Sequence, residues 1–165
     1  MESDRALEPL RRVLLERAAR SGPETAAAAV AAARAALAGG VDSARLWELG
    51  ALPEWDVPEA RRLLDELEQE FWAVLRLPAD GAARDRALAR YCLRDVLDGR
   101  VDPLAAAERV GLVLCPADDP GSPLWAVRGW LYRAEDQVAH GDGVPDELVA
   151  ELHELAARLL AGPLP

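Results

Sequence analysis

The sequence predicts an all-α fold: a single-domain, irregular bundle of seven to eight helices that ends in a C-terminal antiparallel helical hairpin. Three observations predict it. Apolar residues recur three and four positions apart through most of the chain, the spacing of one helix face. Helix starts of the type Ser/Asp followed by Pro, and stops at Gly, punctuate the text at short intervals. No stretch shows the strict alternation of a half-buried strand.

The first helix, residues 1–20, places Leu7, Leu10, Leu14 and Ala18 on one face. Ser21, Pro23 and Glu24 then form a capping box, which opens an alanine-rich helix over 23–38 that Gly39-Gly40 stops. Ala is the strongest helix former, and its small side chain lets neighbours approach closely while burying little area. Asp42 or Ser43 opens a short helix over 43–49, which Gly50 ends. Asp56 caps the next helix, with Pro58 in its first turn and Glu59 at the third position. It spans 58–77 up to Pro78, on a stripe of Leu64, Leu67, Phe71 and Val74 flanked by Leu63 and Leu75. Arg61–Asp65 and Arg62–Glu66 are expected i,i+4 pairs on its wet side. Helix 82–97 stops at Gly99, and Asp102-Pro103 starts a short helix over 103–110 with Gly111 as its cap. Residues 112–115 read as extended. Ser122-Pro123 starts a helix over 123–140, with Leu124, Val127, Leu131, Ala134 and Val138 as its core stripe. The last helix, 145–161, carries Leu148, Leu152, Leu155 and Leu159 and pairs with its predecessor as the hairpin.

A length of 165 residues fits one domain, and a chain of this size buries roughly 70% of its unfolded surface without a metal or disulfide staple. Its 51% apolar and 29% charged residues exclude disorder. Every basic residue is Arg, and Lys, Ile and Asn are absent. These three types have A/T-rich codons, so the bias points to a bacterial, GC-rich genome rather than to selection for guanidinium chemistry. Net charge is −10, with no strongly basic segment. That argues against nucleic acid, whose affinity rests on phosphate neutralisation, and against anionic membranes. The opening MESDRALEPLRR lacks the apolar centre of a secretory signal, and no run suits a membrane span, so a cytoplasmic location is expected.

Chemistry-bearing patterns are sparse. Cys92 and Cys115 have no metal-type spacing, and Cys92 falls on the inward face of its helix beside Leu88 and Val96. The two histidines, His140 and His153, belong to no metal or triad signature, and no glycine-rich phosphate loop is present. No catalytic residue, metal ligand or cofactor is therefore nominated. On helix 82–97, Arg86, Arg90 and Arg94 form a row opposite the apolar side, with Asp98 in reach of Arg94 only. The charge of Arg86 and Arg90 must be met by carboxylates of another helix, such as Glu66 or Glu70, by solvent, or by an anionic ligand or acidic partner. On helix 123–140, Trp125 and Tyr132 share the side away from the stripe, with Arg128 beside them. Either the helix packs on two sides, or these three form a docking face, since Trp, Tyr and Arg dominate binding hot spots. Trp47 and Trp55 bracket the linker GALPEW and are expected to fold it onto the bundle; if exposed, they extend an interaction face.

The functional expectation is an acidic protein–protein interaction module, its specific form being an immunity- or antitoxin-like neutraliser of a basic partner. Its residues are Trp125, Arg128, Tyr132, Arg86 and Arg90, and the protein is expected to be a monomer or homodimer. The alternatives are a small-ligand-binding protein or enzyme, with the Arg row, Tyr91 or His153 around a pocket between helices, and a structural subunit of an assembly.

Overall fold

The helix signals act where the side chains stand. Ser43 Oγ accepts the Leu46 amide, Asp56 the Glu59 amide and Asp102 the Ala105 amide, at 3.4, 3.3 and 2.9 Å. Each satisfies one of the donors that a helix start leaves without a partner. A further cap, Asp80 to the Ala83 amide at 2.7 Å, escaped the sequence reading. Two stops are Schellman turns. Gly40 takes φ +84° while the Val41 amide returns to the Ala36 carbonyl, and Gly99 takes φ +64° while the Arg100 amide returns to Asp95. A side chain at either position would meet the left-handed penalty that glycine avoids.

The computed structural model describes residues 5–19, 25–115, 121–140 and 143–162. The capping box at Ser21, Pro23 and Glu24 lies outside them. Its helices are α1 (Glu8–Ala18), α2 (Thr25–Ala38), α3 (Ala44–Ala51), α4 (Val57–Glu70), α5 (Trp72–Leu75), α6 (Gly81–Leu97), α7 (Pro103–Glu108), α8 (Trp125–His140) and α9 (Asp146–Ala161); a π-helical turn, Arg109–Leu114, continues α7. None of the described residues forms a strand, and the fold is an all-α helical bundle. No described helix is long and apolar enough to cross a membrane. The chain divides into two compact units, Met1–Arg84 and Asp85–Pro165.

In the first unit, α2 packs against α1, α3 and α4. Its small side chains make this central position possible: Ala26, Ala29, Ala32, Ala33 and Ala36 are buried among Leu10, Leu14, Leu46, Leu49, Leu63, Leu64 and Leu67. Arg34 of α2 donates to the Gly50 carbonyl at 2.8 Å and so caps the end of α3. The helix expected over 58–77 is broken at Phe71. The break shifts the helical phase: Leu75 stays buried, whereas Val74, expected in the core stripe, is exposed. Asp65 pairs with Arg17 at 2.7 Å, so the expected Arg61–Asp65 pair gives way to a link between α1 and α4.

In the second unit, α7 and the π turn pack on α8, and α8 packs on α9, the two C-terminal helices expected to pair. Leu88, Cys92, Leu93 and Val96 of α6 are buried, as are Leu124, Val127, Leu131 and Ala134 of the α8 stripe. Two expectations need correction here. Residues 112–114 are not extended but close the π turn, and only Cys115 takes an extended backbone. Val138 is exposed, whereas Trp130, absent from the expected stripe, is fully buried, its indole donating to the Leu148 carbonyl of α9 at 2.7 Å.

Candidate partner-binding surface

The nominated residues of α8 separate into a buried brace and an exposed ring. Arg128 is 8% exposed. Its Nε donates to the Gly111 carbonyl at 2.7 Å and its Nη2 to the Cys115 carbonyl at 3.4 Å. The physical cause is the π turn, whose wide spiral ends with carbonyls that no following turn can satisfy. Gly111 lets the chains meet this closely, because a β-carbon there would stand 3.0 Å from Arg128 Cα and 3.2 Å from its nitrogen. The guanidinium also lies over the half-buried Trp125 ring, 4.7 Å from its centre, a cation–π contact. Tyr132, one helical repeat further, is 55% exposed. Arg128 thus serves the scaffold under Trp125, and the outward aromatic on this side of α8 is Tyr132.

The arginine row of α6 is likewise partly committed. Arg90 Nη2 donates to the Leu160 carbonyl of α9 at 3.2 Å, a cation at the end of a helix where the dipole favours it. Asp98, expected to pair with Arg94, pairs with Arg100 instead. Arg100 also holds the buried Asp95 carboxylate at 3.2 Å, a contact the sequence reading did not foresee. Burial pushes the Asp85 carboxyl above its ordinary value, with the charge of the half-buried Arg86 opposing the shift. Glu66 and Glu70, suggested as partners of the row, are bound in the first unit by Arg45 at 2.7 and 3.0 Å.

The first unit carries the larger aromatic exposure. Trp47 is 62%, Trp55 79% and Trp72 73% exposed. Trp47 and Trp55 were expected to fold their linker onto the bundle, and they do not. Trp47 lies on the outer side of α3, opposite the buried Leu46 and Leu49, with its indole nitrogen directed to Asp42 at 3.4 Å. Trp55 stands in the turn before α4, where the Asp56 amide returns to Pro53 and the Val57 amide to Trp55 itself. Residues 42–59 carry Asp42, Glu48, Glu54, Asp56 and Glu59 against the single base Arg45, and Arg62 of α4 pairs with Glu59 and lies 3.9 Å from Glu48. The neighbouring carboxylates Glu59 and Glu66 are held below their usual range by Arg62 and Arg45 respectively, each through a side-chain hydrogen bond. Trp72 instead edges a shallow depression with Asp65, Glu68 and Gln69, whose two carboxylates are neutralised by Arg17 and Arg84.

A separate cleft of about 280 Å³ is lined by Leu7, Glu8, Arg11, Val74, Leu75 and Arg76. Neither it nor the Trp72 depression includes Arg86, Arg90, Tyr91 or His153, the residues the sequence offered for a pocket. Cys92 and Cys115 are both buried, His140 is exposed with Nδ1 2.6 Å from the Asp136 carbonyl, and no cluster of metal-ligating side chains occurs among the described residues. Compared with known proteins, the chain matches no family model, no curated protein and no solved structure.

Proposed function

We propose that the chain is an acidic, cytoplasmic protein-binding module of bacterial origin, and that Trp47 and Trp55 are the anchors that seat a basic protein partner. The observation carrying this reading is the exposure of both indoles within one acidic stretch. A large apolar side chain left in water is informative where an exposed polar one is not. Covering roughly 150 Å² on each ring is worth on the order of 4 kcal/mol at about 25 cal/mol per Å², the size of a binding hot spot. The carboxylates of residues 42–59 add direction: they attract a basic surface, speed its encounter and repel acidic competitors. Tyr132 offers a further anchor in the second unit. A neutraliser of a basic partner, in the manner of an immunity protein or antitoxin, is the specific form of this reading.

Capture from the native lysate tests it, comparing the wild-type chain with Trp47→Ala/Trp55→Ala. The expected result is a stoichiometric basic protein that the double variant releases and that salt weakens. Two results count against the reading: no stoichiometric partner, or a partner held equally by the double variant. A wild-type homodimer that the double variant dissociates would reassign the indoles to self-association.

A further inference from the structure

Resting on the reading above, we propose that the Trp47 ring and the Asp42 carboxylate together receive one arginine side chain of the basic partner, the guanidinium lying flat on the indole and donating to the carboxylate.

The fold leaves both parts of this receptor open. Trp47 is exposed on the outer side of α3, and Asp42 is exposed immediately before Ser43, the cap of that helix. The bond that the Asp42 side chain accepts is the long one from the Trp47 indole nitrogen at 3.4 Å. A carboxylate offers about four acceptor positions, so the group keeps most of its capacity. No described cation forms an ion pair with Asp42. The nearest base in the sequence, Arg45, is directed elsewhere: it stands two residues from Trp47 on α3, roughly 160° around the helix. It is bound to Glu66 and Glu70 of α4 at 2.7 and 3.0 Å. Asp42 therefore carries a charge that the scaffold does not neutralise, at the edge of an aromatic face that the scaffold does not cover.

That juxtaposition selects the occupant. The face of an indole attracts a cation through its quadrupole, and a carboxylate at the ring edge adds a full negative charge beside it. A guanidinium can meet both demands at once, because its plane stacks on the ring while its N–H groups donate sideways in that plane. An ammonium is a compact, strongly hydrated point charge and cannot stack. The same division of labour occurs inside this molecule, where Arg128 lies over Trp125 at 4.7 Å and donates to the Gly111 carbonyl at 2.7 Å. The exposed Glu54, which no described cation neutralises, adds negative charge that draws a basic segment toward this unit.

The test is an NMR titration of the full-length chain with hexa-arginine, with hexalysine as the comparison of equal charge. The expected result is a saturable shift of the Trp47 indole and of the amides around Asp42, with hexa-arginine binding at least about fivefold tighter than hexalysine. Trp47→Leu and Asp42→Asn change exposed side chains, so Tm should barely move, and each should abolish the preference for arginine. The proposal is overturned if hexalysine binds as tightly, if either variant keeps the preference, or if the shifts fall away from Trp47. Capture from the native lysate separates this contact from the docking reading on which it rests. Asp42→Asn should loosen the partner that Trp47→Ala/Trp55→Ala releases. A partner held fully by Asp42→Asn but lost by the double tryptophan variant overturns the arginine contact and leaves the docking reading standing.

Discussion

Replacing Arg128 by Met should destabilise the second unit by about 3 kcal/mol, although Arg128 lies on the side of α8 away from its apolar stripe. Met keeps most of the side-chain volume, so the perturbation is the loss of donors rather than a cavity. The Gly111 carbonyl, buried and bound at 2.7 Å, would lose its charged partner, which costs about 1–3 kcal/mol for an acceptor left unsatisfied. The longer bond to Cys115 at 3.4 Å adds a smaller amount, and the Trp125 contact at 4.7 Å about 0.5–1 kcal/mol. With a urea m-value of about 1.5–2 kcal/mol/M, the unfolding midpoint falls by about 1.5–2 M. Amide hydrogen exchange gives the local readout, because protection over residues 109–115 should weaken before that of α6. Arg128→Lys should recover part of the loss, since one ammonium can satisfy one carbonyl but not span both. An Arg128→Met midpoint equivalent to less than about 0.5 kcal/mol of change, with unaltered exchange at the π turn, would refute the brace and imply that water satisfies these carbonyls.

Gly111→Ala should cost about 1–3 kcal/mol in the same urea assay, because its methyl group meets the backbone rather than the movable tip of a side chain of α8. Trp130→Phe leaves the Leu148 carbonyl without its indole donor and opens space in the core, so Tm should fall and exchange should quicken first at the start of α9. Acid should weaken the links made by Glu59, Glu66 and Glu151, whose values the bound guanidinium groups hold below the ordinary one. A depressed carboxylate contributes its stability above its unfolded value, about 4.3, and loses it as pH falls through the lower folded value. Asp85, raised by burial, has the opposite sign: its cost appears as pH rises through the folded value, so Asp85→Asn should remove that penalty at neutral pH. Both effects can be read from Tm against pH for the wild type, Glu151→Gln and Asp85→Asn.

The helices were legible where the signal is local. Asp56, Asp102, Gly40 and Gly99 act within three or four residues of themselves, and the structure uses each as its sequence neighbours imply. The inward faces of α6 and α8 were also legible, because Leu88 and Leu131 sit on the apolar side of a regular wheel and both are buried. What sequence could not show depends on partners distant along the chain. The π turn persists because Arg128, 17 residues after Gly111, supplies its donors, and no periodicity encodes that pairing. Periodicity does not single out Trp130, because Leu131, Ala134 and Val138 already complete a stripe without it, whereas its indole is satisfied by a carbonyl of α9. Trp47 and Trp55 were expected to lie inward because indoles usually do. Their exposure could be read only once α3 had placed Leu46 and Leu49, not Trp47, against the core.

One consequence concerns how arginine is distributed between scaffold and surface. Arg34 reaches the Gly50 carbonyl at the end of α3, Arg84 the Pro78 carbonyl, Arg90 the Leu160 carbonyl at the end of α9, and Arg128 the two carbonyls of the π turn. Helix ends and breaks leave acceptors unmet, and this chain has neither Lys nor Asn with which to meet them. A guanidinium suits the task because its five donors can serve a carbonyl and still pack against an apolar or aromatic neighbour, as Arg128 does under Trp125. Arginines committed in this way cannot also carry recognition. Under the proposed function, recognition would rest on groups the fold does not consume: the exposed indoles of the first unit and Tyr132 of the second. An abundance of arginine in this sequence is therefore weak evidence for anion binding, because much of it is spent on the acceptors that helix ends and breaks leave unmet.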